Sequence, residues 1–144
     1  MLAILLATGL IWLKSSYGKF ASGNFVQNLG GTLEKFASKN PYPWEKSFLN
    51  QVALPNASFL GTLVLWGEAF AALALTLVSL SLLLKVKTPD FARIILVLGL
   101  LVGVILNLIF FLAAGWTSPS TESVNLIMLA IQAIAVVSIL RQKA

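Results

Sequence analysis

Three runs dominate this chain because almost nothing in them can face water. Ser58 to Leu84 carries a single charge, Glu68; Ile94 to Trp116 carries none and holds Asn107; Val124 to Leu140 holds only Asn125 and Gln132 as strongly polar groups. A span needs roughly 20 mostly apolar residues to cross the hydrocarbon core of a bilayer. Each run meets that length, with tilt for the longest. A soluble domain would need about a quarter of its residues charged, whereas this one has 10%. The sequence therefore predicts an all-α membrane protein, with the lipid bilayer as its first partner.

A fourth, weaker run opens the chain from Leu2 to Phe20 and includes Lys14, Ser15, Ser16 and Tyr17. Lysine near a helix centre costs a few kcal/mol on insertion scales, so this span depends most on its neighbours. It is not read as a signal peptide, because no basic residue precedes Leu2 to Leu13 and Lys14 and Lys19 follow it. The expected fold is one membrane domain over residues 1–144. It is a four-transmembrane-helix bundle with spans at about 2–20, 58–84, 94–116 and 124–140.

The connections differ in kind. Lys85 to Asp90 is short and basic, and Pro89 suits a helix start. Thr117 to Thr121 is a polar turn whose hydroxyls, with Glu122, suit the start of the next helix. Residues 21–57 form a long outer loop expected to have structure of its own. In it Phe25, Val26, Leu29, Leu33, Phe36 and Ala37 recur at helical spacing, predicting an interfacial amphipathic segment between spans 1 and 2, weakened by Gly30-Gly31. Tyr42 and Trp44 follow, of the type that sits at headgroup level. Lys85, Lys87, Arg93, Arg141 and Lys143 fall on one side. Lys14, Lys19, Lys35, Lys39 and Lys46 fall on the other. Short loops carry more weight in orientation, which puts the first group, and both termini, in the cytoplasm.

Several chemistries are excluded. The chain has no Cys and no His, hence no thiol, no thiolate-held Fe–S cluster and no His-ligated haem or zinc of its own. The expected metal ligands are none, and no cofactor is ligated by this chain. The net charge of +5 lacks the basic runs interleaved with aromatics that nucleic acid requires.

Laid out at about 1.5 Å per residue, Lys14, Glu68, Asn107 and Gln132 fall about 9, 15, 14 and 12 Å below the outer boundary. One strongly polar residue per span thus occupies one layer, a candidate intramembrane polar site. Ionisable groups in such places often mark a relay or ligand site. The competing reading pairs Lys14 with Glu68 and leaves Asn107 and Gln132 as hydrogen-bonding glue between helices. Gly99 and Gly103 lie on one face with Asn107, a small-xxx-small packing pattern. Gly61, Glu68, Ala72, Thr76 and Ser79 share a face in the second span. Trp12, Trp66, Phe110 and Phe111 are candidates to line a quinone pocket, although lipid-facing aromatics look the same in sequence.

Four spans, Gly18-Lys19 ending the first, Gly67-Glu68 in the second, and Asn107 through Ser118-Pro119 resemble the DoxX/DoxD family. The family includes a membrane subunit of thiosulfate:quinone oxidoreductase. The resemblance implies a membrane subunit of a quinone-linked oxidoreductase with a cytoplasmic N-terminus, a quinone as ligand and other membrane subunits as partners. The location expected is a bacterial or archaeal plasma membrane. The alternative is a non-catalytic accessory subunit that stabilises a larger membrane complex.

Overall fold

A computed structural model describes residues 1–141; Lys143, counted above for orientation, lies outside the described residues. Among the described residues six α-helices follow in chain order: α1 Leu2–Ser22, α2 Phe25–Lys39, α3 Pro43–Phe48, α4 Ala57–Leu83, α5 Ala92–Ala114 and α6 Pro119–Arg141. A π-turn, Leu49–Ala53, extends α3, and a 3₁₀ turn, Gly115–Thr117, joins α5 to α6. No strand occurs among the described residues. Three helical stretches, Ala57–Leu83, Ala92–Thr117 and Pro119–Arg141, are long and apolar enough to cross a membrane. The first helix is long enough but is diluted by Lys14, Ser15, Ser16 and Lys19.

Local chemistry sets the helix ends. Gly23, at φ 67°, turns left-handed and donates its N–H to the Phe20 carbonyl, which stops α1. Past the end of α4, Lys85 adopts φ 55°. Its N–H bonds the Leu82 carbonyl while that of Val86 reaches Ser81, a Schellman closure made without glycine. Ser118 Oγ accepts the Thr121 N–H at 3.1 Å and caps α6, so that helix begins at Pro119, not at Val124. Pro89 sits in the turn before α5 and accepts the Ala92 N–H.

The connection over residues 21–57 is mostly helical. In α2 the six residues at helical spacing are all buried or half-buried, and Gly30-Gly31 leave the helix unbroken. Leu33 and Ala37 join Leu49, Ala53 and Ala113 in an apolar cluster that seats α2 and the π-turn on α4 and α5. Asn40 fastens the assembly: its amide nitrogen donates to the Leu112 and Ala113 carbonyls at 3.3 and 3.5 Å, and its Oδ1 accepts the Tyr42 N–H.

α4 is the central helix, touching α1, α2 and α5, while α6 lies mainly against α5 and only sparsely against α1. Glycines set the crossings. A Cβ on Gly9 would meet Thr76 N at 2.8 Å, so α1 lies directly on the α4 backbone. A Cβ on Gly99 would meet Ala74 Cβ at 2.5 Å, the close point of α4 and α5. At Gly103 it would meet the Gln132 amide at 2.6 Å. The Gly99–Gly103 seam therefore serves two partners, α4 below and α6 above. Glu68, Ala72 and Ser79 are buried with Gly61 along α4, and Thr76 is half-buried.

Candidate functional site

The α1–α4 register decides which charges meet. Gly9 lies at Thr76, and Lys19 reaches Glu68, so the helices run antiparallel with residue numbers summing to about 85–87. Carried upward, that register leaves the first two turns of α4 above the end of α1, an overhang of about 12 Å. The overhang is covered by α2, where a Cβ on Gly61 would stand 3.3 Å from Val26 Cα.

Glu68 is fully buried, and Lys19 is 22% exposed. The Lys19 ammonium donates to both Glu68 oxygens at 2.8 Å and to Ser15 Oγ at 2.9 Å. Ser15 in turn donates to Glu68 Oε2 at 3.0 Å. Lys19 Nζ also stands 5.2 Å from the Phe25 ring centroid, a favourable cation–π distance. A buried carboxylate is tolerable only when paired and hydrogen-bonded, and Lys19 with Ser15 meets both conditions.

The expected Lys14–Glu68 pair is not formed, and Lys14 is exposed. Two errors compounded. The depth layout assumed helix ends level with one another, whereas α4 overhangs α1. The second concerns the face of α1. Its buried positions are Leu5, Thr8, Gly9, Trp12 and Ser16; Lys19, seven residues after Trp12, stays on that face, and Lys14, two residues after it, is turned away. The Gly9–Trp12–Ser16 periodicity was the signal that could have identified Lys19.

Asn107 and Gln132 do meet. Asn107 Nδ2 donates to Gln132 Oε1 at 3.0 Å and to the Gly103 carbonyl at 2.9 Å, and both residues are buried. Gln132 Nε2 has no hydrogen-bond partner. Asn107 and Glu68 share the wall of one cavity, whereas Gln132 stands behind Asn107 and is not part of that wall.

That cavity, about 600 Å³, runs from the overhang down to Trp12 among α1, α2, α3, the π-turn, α4, α5 and the start of α6. Its walls are overwhelmingly apolar, with Leu33, Phe36, Leu49, Val64, Leu106 and Met128 among them; the polar lining is the Ser15–Lys19–Glu68 cluster, Asn107, Glu45, Thr32, Thr121 and Asn125. Trp12 and Phe110 also line it, with ring centroids 6.3 Å apart. Of the four aromatics singled out in the sequence, Trp66 and Phe111 do not. Trp66 is exposed and stacks edge-on with Phe20. Trp12 is buried, yet its indole N–H has no partner.

Sequence reasoning missed Glu45. It sits in the first turn of α3, where a carboxylate favours the helix dipole. Its side chain turns inward to the cavity and is 5% exposed. Burial raises its carboxyl above the ordinary range. Nothing in its local sequence, Pro43-Trp44-Glu45-Lys46, sets it apart from a solvated helix start.

Among the described residues no group of His, Cys, Asp and Glu is arranged to hold a metal ion. Comparison with known proteins found no matching family model, no similar curated protein and no similar solved structure.

Proposed function

We propose that the chain is a DoxX/DoxD-like membrane subunit of a quinone-linked oxidoreductase, and that the cavity above Trp12 holds the quinone headgroup. The observation that carries this reading is a cavity of about 600 Å³ with apolar walls and the Ser15–Lys19–Glu68 cluster in its lining. Volumes of that order suit small amphiphilic ligands, with a few placed polar groups fixing orientation. The sequence has no Cys or His, so electrons would pass to or from a centre held by a partner subunit. The site described is Ser15, Lys19, Glu68 and Asn107, with Gln132 supporting Asn107.

In this reading α1 is the fourth span. Its 21 residues measure about 31 Å, close to a hydrocarbon core of about 30 Å. The 27 residues of α4 measure about 40 Å, which matches the bilayer with its headgroups. The overhang then lies at headgroup level, and α2 becomes the interfacial amphipathic helix. Exposed Tyr42, Trp44 and Trp66 would form part of an aromatic belt there. The Lys19–Glu68 pair would sit near the outer boundary, reached laterally where α1 and α6 barely touch. Both termini would be cytoplasmic, in a bacterial or archaeal plasma membrane.

The test is binding in lipid nanodiscs. A short-tailed quinone should quench tryptophan fluorescence saturably, and Val64→Phe, which fills the cavity, should weaken binding about tenfold while circular dichroism stays unchanged. Undiminished binding by a folded Val64→Phe protein would remove the cavity as the site.

One observation favours the accessory reading. The outward face of α6 is the barest of the three apolar helices, with only 17% of its most apolar stretch buried, and Ile127, Ile134 and Leu140 project from it. Copurification of a stable complex in which quinone turnover survives Val64→Phe would select that reading.

A further inference from the structure

The hydrogen-bonding wall of the cavity has a direction. The Lys19 ammonium has three hydrogens, and three acceptors stand within reach: both Glu68 oxygens and Ser15 Oγ. The Ser15 hydroxyl hydrogen is spent on Glu68 Oε2. Both Asn107 amide hydrogens are spent, one on the Gly103 carbonyl and one on Gln132 Oε1. The Asn107 orientation is fixed, because only its nitrogen can face the Gly103 carbonyl.

What remains open at this end is acceptors. The Asn107 carbonyl oxygen makes no hydrogen bond, although the residue is 1% exposed and part of the wall. Glu68 is fully buried and already receives three bonds, which leaves the Asn107 oxygen as the acceptor a ligand can meet. We propose that this end of the cavity selects a ligand presenting a hydroxyl hydrogen, so that within the quinone class it takes the hydroquinone in preference to the dione. The inference rests on the ligand-site reading above.

The physical argument is one of complementarity. A ligand carbonyl placed here would set acceptor against acceptor, leaving buried oxygens unpaired. A hydroxyl supplies the hydrogen they lack, and unpaired buried polar groups are what a site discriminates against. An ammonium would also donate, but Lys19 already neutralises Glu68, and burying a further charge in apolar walls is costly. A neutral hydroxyl on an apolar body is the occupant that fits.

Two ligand pairs test this on the full chain in nanodiscs: a long-chain 4-alkylphenol against its methyl ether, and a tail-matched hydroquinone, kept reduced by excluding oxygen, against its benzoquinone, measured in separate samples without reductant. The expected result is that each hydroxyl form binds about tenfold tighter or more. Asn107→Leu should shrink both ratios; if that variant fails to fold, the wild-type ratios still decide. Equal binding within both pairs, or a preference for the ether or dione, overturns the inference while leaving the ligand site standing. Phenol selectivity with neither quinone form bound supports the inference and removes the quinone reading. Failure of all four ligands to bind overturns both.

Discussion

The two halves of the bundle are built on opposite rules. Toward the Met1 end, α1, α4 and α5 touch backbone to side chain through Gly9 and Gly99, and Ala71, Ala72, Ala74 and Leu75 are buried in the seam. Toward the other end α1 stops, α4 continues about 12 Å further, and a separate layer of short helices covers a cavity of about 600 Å³. The lower half spends small residues on closeness. The upper half holds the buried Lys19–Glu68 pair, and its close glycine contact, Gly61 on Val26, is made with the covering helix α2. Both ends hold a cavity, the one at the Met1 end being about 580 Å³ and bounded by α1, α4, α5 and α6, so the halves differ in how their helices meet and in where the buried ion pair lies.

The contrast is broken most severely at the charge pair. Lys19→Met leaves Glu68 buried without its cation, a change of about 3 kcal/mol or more. Lys14→Met, on the exposed face, should stay within about 0.5 kcal/mol. Unfolding titrations in mixed detergent micelles would compare them, and equal effects would mean the register is wrong. Lys19→Met with Glu68→Gln should recover part of the loss, since no lone ion remains.

Adding one methyl sharpens the comparison. Gly9→Ala forces the new Cβ against Thr76 N and Oγ1, an overpacking cost of about 1–3 kcal/mol. Val64→Ile adds a methyl where the wall faces open space and should stay within about 0.5 kcal/mol. Similar losses from both would show the upper half to be as tightly packed as the lower.

Glu45 gives a pH signature confined to the upper half. With its carboxyl raised by burial, the folded chain keeps a proton that the unfolded chain has released. Stability from the neutral form is complete below the unfolded value and is lost as pH rises through the folded one. Glu45→Gln is neutral throughout, so it should match wild type in acid and exceed it at neutral pH. Thermal melts across that range would show parallel curves if the carboxyl were solvated. The one stabilising change is Lys85→Gly, which relieves a left-handed residue past the end of α4 and should add about 1 kcal/mol, read as a rise in the midpoint of the same unfolding titrations.

Hydropathy made α4 and α5 legible to within about two residues, with 58–84 expected and Ala57–Leu83 found. By contrast α6 begins at Pro119, five residues before the expected 124, because its polar first turn carries no hydropathy signal. Helical periodicity likewise marked the inward residues of α2 and the small-residue face of α4. Neither carries information about the height of one helix against another. That is why four polar residues were assigned to one layer, and why Lys14 stood where Lys19 belongs. Register is decided by contacts such as Gly9 on Thr76, which pair residues far apart in sequence and have no local pattern. The cavity and Glu45 were illegible for the same reason, since both follow from the overhang.

The partners in the buried ion pair are 49 positions apart, and that interval has a meaning in time. At roughly 5–20 residues added per second, Glu68 is made about 2–10 s after Lys19. The first helix emerges with its ammonium and without the carboxylate that later neutralises it. Whatever holds α1 during those seconds cannot be α4. With α1 as the proposed fourth span, biogenesis needs either a waiting place for an unpaired helix, in the insertion machinery or at the membrane surface, or late entry of α1 alongside its finished partner.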